Sequence, residues 1–128
     1  DMTQAVLEGV AFALRDSFEV AKSLGVDIKA TKICGGGAKS PLWKKMVANI
    51  LNVTVEVPKS EEGPSMGAAM LAAVACGAYK SVKEAAEAIV TVKETIEPDA
   101  ELAAKYEARY KQFREIYPVL RPLFQKLD

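Results

Sequence analysis

The 128-residue chain reads as an α/β protein, helix-rich with two parallel strands, and three observations lead there. Runs with helical apolar spacing alternate with short runs of β type. Each strand-like run is followed by a helix with a clear start signal. Between the first strand and its helix stand three consecutive glycines. A strand–helix–strand–helix order implies parallel strands with helices on both faces of the sheet. Two short strands cannot make a self-sufficient sheet, so the first strands are expected to be missing. Residues 1–128 then form a single partial domain, and a start at Asp1 inside a helical pattern also implies a fragment.

The first helix spans Asp1 to Leu24, with apolar residues at Leu7, Val10, Leu14, Phe18, Ala21 and Leu24. Asp1 with Gln4 has the form of a capping box, and Gly25 is a natural stop. Val6, Ala13 and Val20 widen the apolar face, so packing on two sides is expected. Ala30–Cys34 reads as a buried strand. Ser40 followed by Pro41 starts the next helix, the hydroxyl capping orphan amides and the proline taking the first helical position. Leu42, Met46 and Ile50 form its inner stripe, with Lys44 and Lys45 outside. Val53, Val55 and Val57 alternate with Thr54 and Glu56, a strand closed by Pro58.

Pro64 opens an alanine-rich helix that ends before Gly77. It is apolar on nearly every side, which predicts burial between layers. Ser81 with Glu84 caps a short helix through about Ile89. Val90, Val92 and Ile96 mark an extended return segment. Asp99 then caps a last helix with an inner stripe of Leu102, Tyr106, Tyr110, Phe113 and Tyr117, ended or kinked at Pro118.

Composition narrows the function. Lys plus Arg equals Asp plus Glu at 17 each, and the cations are scattered, which argues against nucleic-acid binding through neutralised phosphates. Without histidine the chain holds no serine–histidine or cysteine–histidine catalytic pair, and a zinc site is not expected. Cys34 and Cys76 sit in apolar segments and read as small core residues in a reducing, cytoplasmic setting. No apolar run approaches the roughly 20 residues that cross a membrane.

The most informative stretch is Ile33-Cys34-Gly35-Gly36-Gly37-Ala38-Lys39-Ser40-Pro41. Three residues without a β-carbon let backbone approach a flat ligand, at the strand edge where parallel α/β sheets bind their ligands. Amides near the helix start suit a phosphate. The alternative is a tight turn with no ligand at all. Two phosphate motifs are excluded: a P-loop needs glycine where Ala38 stands, and the dinucleotide fingerprint needs glycine at Ser40. Lys39 reads either as a phosphate contact or as a solvated cation, and Trp43 either as an adenine-pocket wall or as core.

Three blocks carry a family resemblance: LEGVAFALRD from Leu7, ICGGGAKSPLWKKMVANIL from Ile33 and EGPSMGAAMLAAVACG from Glu62. In order and spacing they resemble the C-terminal region of FGGY carbohydrate kinases, with the xylulokinase branch the nearest. The resemblance implies part of the C-terminal, nucleotide-binding lobe of a two-lobed actin-like ATPase (ribonuclease H-like) fold. It implies transfer of the γ-phosphoryl group of ATP, with magnesium, to a sugar: D-xylulose, giving xylulose 5-phosphate. Alternatives are a sister kinase for glycerol, gluconate or ribulose, or a non-catalytic interaction module of the same fold. Gly35, Gly36, Gly37 and Ser40 become the adenine-nucleotide residues. Ser40 stands where relatives often carry the longer asparagine that reaches adenine. Glu62 and Gly67 match family positions but read as structural.

The resemblance assigns the catalytic aspartate and most of the sugar pocket to an N-terminal lobe, so no catalytic residue and no metal ligand is expected here. The isolated chain is expected to be inactive. Nucleic acid and membrane are not expected partners. The edge of the first strand is expected to be exposed, covered, or paired with another copy in a homo-oligomer.

Overall fold

Helix α1 (Met2–Ser23) is the first element of the computed structural model, which describes residues 2–61 and 63–126. It stops at Gly25, φ +84°, where the Gly25 N–H donates to Lys22 O at 2.9 Å and the Val26 N–H to Ala21 O at 3.1 Å. Those two bonds satisfy the last helical carbonyls. The cap expected at Asp1 lies outside the described residues; Gln4 donates its side-chain N–H to Glu8 at 2.7 Å.

Strand β1 (Ala30–Lys32), a single 3-10 turn (Gly36–Lys39), α2 (Pro41–Leu51) and β2 (Thr54–Pro58) follow. After them come α3 (Gly63–Ala75), α4 (Val82–Ile89), β3 (Val92–Ile96) and α5 (Ala100–Phe124). The sheet order is β1-β2-β3. β1 and β2 are parallel, with Ala30 opposite Thr54. The extended return segment is β3, antiparallel to β2 with Val55 opposite Ile96, so the small sheet is mixed and β1 is an edge.

Helix α2 holds the core together because it is buried on two sides. Met46 and Ile50 join Ala11, Phe12 and Tyr110 between α1, α2 and α5. Val47, Ala48 and Leu51 join Val53 and Val55 between α2 and the sheet. Asn49, also buried, accepts the Asp99 N–H at 2.7 Å, and Asp99 caps α5 by accepting the Leu102 N–H at 2.9 Å. One buried amide thus sets where α5 begins relative to α2.

Several expectations are corrected. The expected apolar stripe of α1 faces inward only in part: Leu7 and Phe18 pack against the core clusters, but the fully buried residues are Glu8, Ala11, Phe12 and Arg15, while Val10, Leu14 and Leu24 are exposed. The reason is ionic. Arg109 donates to both Glu8 oxygens at 3.0 and 3.1 Å, Arg15 pairs with Glu107, and the Arg15 guanidinium lies 4.2 Å from the Tyr110 ring. Buried charges with partners on α5 hold this face inward, and Val6, Ala13 and Val20 of the second apolar side are exposed.

Among the described residues helices cover one face of the sheet and not the other. α2 packs on the Val53/Val55 face with α1 and α5 behind it. On the other face Thr54 and Glu56 are half-buried, and Lys32 pairs with Glu56 at 2.7 Å. α3 has no buried residue, and Leu71 is 60% exposed. An all-round apolar helix needs several neighbours, and among the described residues α4 is its principal one. Cys76, in the turn after α3, is therefore exposed, and Cys34, beyond the end of β1, is exposed too.

Pro118 does not end α5, which runs through Pro118 and Pro122 to Phe124. Both prolines are exposed and four residues apart, so the carbonyls they leave without a donor lie along one open side where solvent substitutes. Of the stripe expected on α5, Tyr110 is buried and Tyr106 and Phe113 are half-buried, whereas Leu102 and Tyr117 are exposed and Ala103 is buried beside Leu102.

Candidate site at the glycine turn

The glycine run leaves the carboxyl edge of the sheet. The Ile33 N–H still donates to Glu56 O at 2.9 Å, and the chain then turns. Ala38 N–H donates to Gly35 O at 3.1 Å and Ser40 N–H to Gly37 O at 3.2 Å, closing the 3-10 turn. Ser40 caps α2, its hydroxyl accepting the Trp43 N–H at 3.3 Å, with Pro41 at the first helical position.

The three glycines answer to three different constraints. Gly35 has φ +74°, a conformation that a β-carbon strains. Gly37 lies beneath the Trp43 indole; a β-carbon there would stand 2.9 Å from the ring. Gly36 has neither a positive φ nor any neighbour within 4 Å of where a β-carbon would be. Nothing among the described residues requires glycine at position 36.

Below this turn is a cleft of about 280 Å³. It is lined by Cys34, Gly35, Ala38 and Lys39 of the turn, by the end of β2 with Lys59 and Glu61, and by Lys44, Lys93 and Glu94. Gly36, Gly37 and Ser40 do not line it, so of the four candidate residues Gly35 alone borders the cleft. Lys39 pairs with Glu61 at 2.9 Å, tying the turn to the segment before α3. A hydrogen bond from Lys39, then its charge and more weakly that of Lys93, hold the Glu61 carboxyl below its usual range. Trp43 is half-buried and touches both core clusters, which favours its core reading. Gly67 has open space around its missing β-carbon, and Glu62 lies outside the described residues.

Sequence reasoning put Lys44 outside. It is 6% exposed and pairs with Glu94 of β3. The alternation of Lys93 and Glu94 in the return segment was the available signal, and it becomes meaningful only once β3 is paired with β2. Among the described residues no three acidic, cysteine or histidine side chains converge as metal ligands. No helix there is long and apolar enough to cross a membrane.

The sequence pattern of the FGGY family of carbohydrate kinases, C-terminal domain, matches residues 1–76, which take in α1, the glycine turn, α2, β2 and α3. This chain belongs to the FGGY family. The FGGY chain is 39% identical over 123 residues to a xylulose kinase of Staphylococcus epidermidis, covering 96% of itself and 25% of that relative. It thus spans about a quarter of the length of the curated relatives it matches. Among solved structures, a gluconate kinase from Lactobacillus acidophilus superposes with TM-score 0.86 at 26% identity, covering 99% of this chain and 26% of that one. A ligand-bound xylulose kinase from the same organism gives 0.82 at 27% identity, with the same coverage of 99% and 26%. The helix-rich α/β fold with its small mixed sheet is that of the FGGY C-terminal, actin-like ATPase lobe.

Proposed function

We propose that this chain forms the nucleotide-binding part of an ATP-dependent kinase that phosphorylates a sugar or polyol hydroxyl, and that residues 1–128 are a portion of that kinase's C-terminal lobe. The observation that carries the reading is Gly36: the one glycine of the run without an internal reason, open on its outer side and followed by a capped helix start. Backbone without side-chain bulk accepts the ribose and phosphate end of an adenine nucleotide, and amides near a helix start favour its negative charge. Gly35 and Gly37 shape this bed through their own constraints, and Ser40 holds the helix that follows.

Phosphoryl transfer also needs a base for the acceptor hydroxyl, donors for the terminal phosphates and magnesium ligands. Among the described residues no carboxylates, cysteines or histidines converge as a metal site, and the ligands of magnesium are proposed to lie in the rest of the kinase. The chain alone is expected to give no turnover.

The acceptor is proposed at the level of its class. The gluconate and xylulose kinases superpose almost equally well, so this quarter of the fold does not discriminate between their acceptors. D-Xylulose is the first to try, given the 39% identical relative, with gluconate, glycerol and ribulose beside it.

Calorimetry with ADP on the chain and on Gly36→Val tests the reading. Saturable heat in the parent and its loss in the variant are expected. Equal heats in both remove the glycine turn from the site. An ADP-release assay on the protein extended to its relatives' length, run over the four acceptors, then assigns the sugar.

A further inference from the structure

The last turns of α5 carry an apolar stripe that the fold does not use. Ile116, Val119, Leu120 and Leu123 recur at the spacing of one helix face and are all exposed, Val119 at 73%. At 3.6 residues per turn they fall within a sector of about 100°. That sector is about a quarter turn away from the side on which Tyr106, Tyr110 and Phe113 pack against Phe12. Two shallow clefts along the stripe are lined by residues of α5 alone. A contiguous apolar surface of this kind marks a place of contact.

The charges beside the stripe point to what covers it. Glu115 and Lys126 stand on the same border of it, three turns and about 16 Å apart. Both are exposed, and neither has an ion-pair partner among the described residues. A surface with an anion at one end and a cation at the other is complementary to itself once turned end for end. In a two-fold contact each residue meets its counterpart reciprocally. Antiparallel α5 helices therefore bring Glu115 of each copy to Lys126 of the other, with Leu120 near the axis and Ile116 facing the turn that holds Leu123. Parallel helices would set Glu115 against Glu115.

We propose that this stripe is a self-association surface on which a second copy of the chain docks its own α5 antiparallel. Ile116, Val119, Leu120 and Leu123 form the buried seam, and two Glu115–Lys126 pairs fix its direction. One helix face of about 12 residues is at the small end of specific interfaces, so the dimer exchanges with monomer. Nothing in this contact rests on the nucleotide reading.

Sedimentation equilibrium over a concentration series tests it, on this chain and on the protein extended to its relatives' length. Monomer and dimer in exchange are expected for both. Val119→Glu/Leu123→Glu is expected to be monomeric with unchanged circular dichroism, because both positions are exposed. Glu115→Lys and Lys126→Glu each turn two attractive pairs into two repulsive ones, and each is expected to weaken the dimer about tenfold. Mixing those two variants is expected to restore the parent affinity as a heterodimer, and Glu115→Lys/Lys126→Glu in one chain to restore it as a homodimer. Non-specific apolar association would show neither rescue. The proposal is overturned by a monomer at every concentration, by a dimer that survives the stripe variant, or by charge variants that dimerise like the parent or are not rescued on mixing. A dimer of this chain beside a monomeric extended protein overturns it too, since the rest of the polypeptide then covers the stripe.

Discussion

The Trp43 indole covers Gly37 so closely that a β-carbon at Gly37 would meet the ring at 2.9 Å. This contact locks the last glycine of the turn to the first turn of α2. Gly37→Ala must displace the ring, and overpacking of this kind costs about 1–3 kcal/mol. Trp43 is the single tryptophan, so its emission reports on the site directly. A changed emission maximum and a lower Tm are expected. Unaltered fluorescence together with unaltered Tm would show that the ring does not rest there.

The Lys44–Glu94 pair is asymmetric in burial, at 8% and 46% side-chain exposure. Glu94→Gln leaves a buried ammonium without its carboxylate and is expected to cost about 1–2 kcal/mol, less than for a fully buried pair because Glu94 is half-open to solvent. Lys44→Met keeps the volume and frees Glu94 towards water, so near-neutral stability is expected. Denaturant melts of the two singles and the double decide the matter; equal losses in both singles would contradict this asymmetry.

Alkaline stability should report on Tyr110. Burial, then its hydrogen bond to Asp16 at 2.5 Å, pushes the phenol from 10.0 up to about 12. The folded state therefore holds this proton where the unfolded chain has released it, and stability falls as pH rises from about 10 to about 12. Tyr106 moves the same way, chiefly through burial and then the charge of Glu8. Tyr110→Phe is expected to flatten the decline without abolishing it. A parent and variant with parallel pH curves above pH 10 would rule this out.

Acid stability should report on Glu107. A hydrogen bond from Arg15 holds its carboxyl below the ordinary 4.5, against a smaller opposing effect of burial. Its contribution is present above that ordinary value and is lost as pH falls through the lowered one. Glu107→Gln is expected to be less stable at neutral pH and to lose less on acidification. An identical acid midpoint and slope in the variant would show that the pair does not couple α1 to α5.

The legible parts of the fold were those in which neighbouring residues decide the outcome. Ser40 with Pro41, Ser81 with Glu84, and Asp99 each cap the helix expected of them, because a cap is a bond across three residues. Val55 and Val57 lie in β2 with the expected inward side, and Val53 is buried just before it. The glycine turn was legible as a turn, and the three blocks as a family. The reason for each glycine was not: Gly35 depends on φ, Gly37 on a ring six residues further on, and Gly36 on the absence of neighbours.

The sequence by itself determined where α2, α4 and α5 start, the strand alternation, the glycine-bearing strand edge and the kinship to FGGY kinases. All of these follow from contacts a few residues apart or from shared pattern. Only the tertiary structure decided that Glu8, Arg15 and Lys44 are buried, that β3 closes a mixed sheet, and that α3 is left without a covering layer. The physical reason is that a charge goes inside only where a distant partner waits for it. Arg109, Glu107 and Glu94 lie dozens of residues from the charges they neutralise, at separations no local pattern encodes.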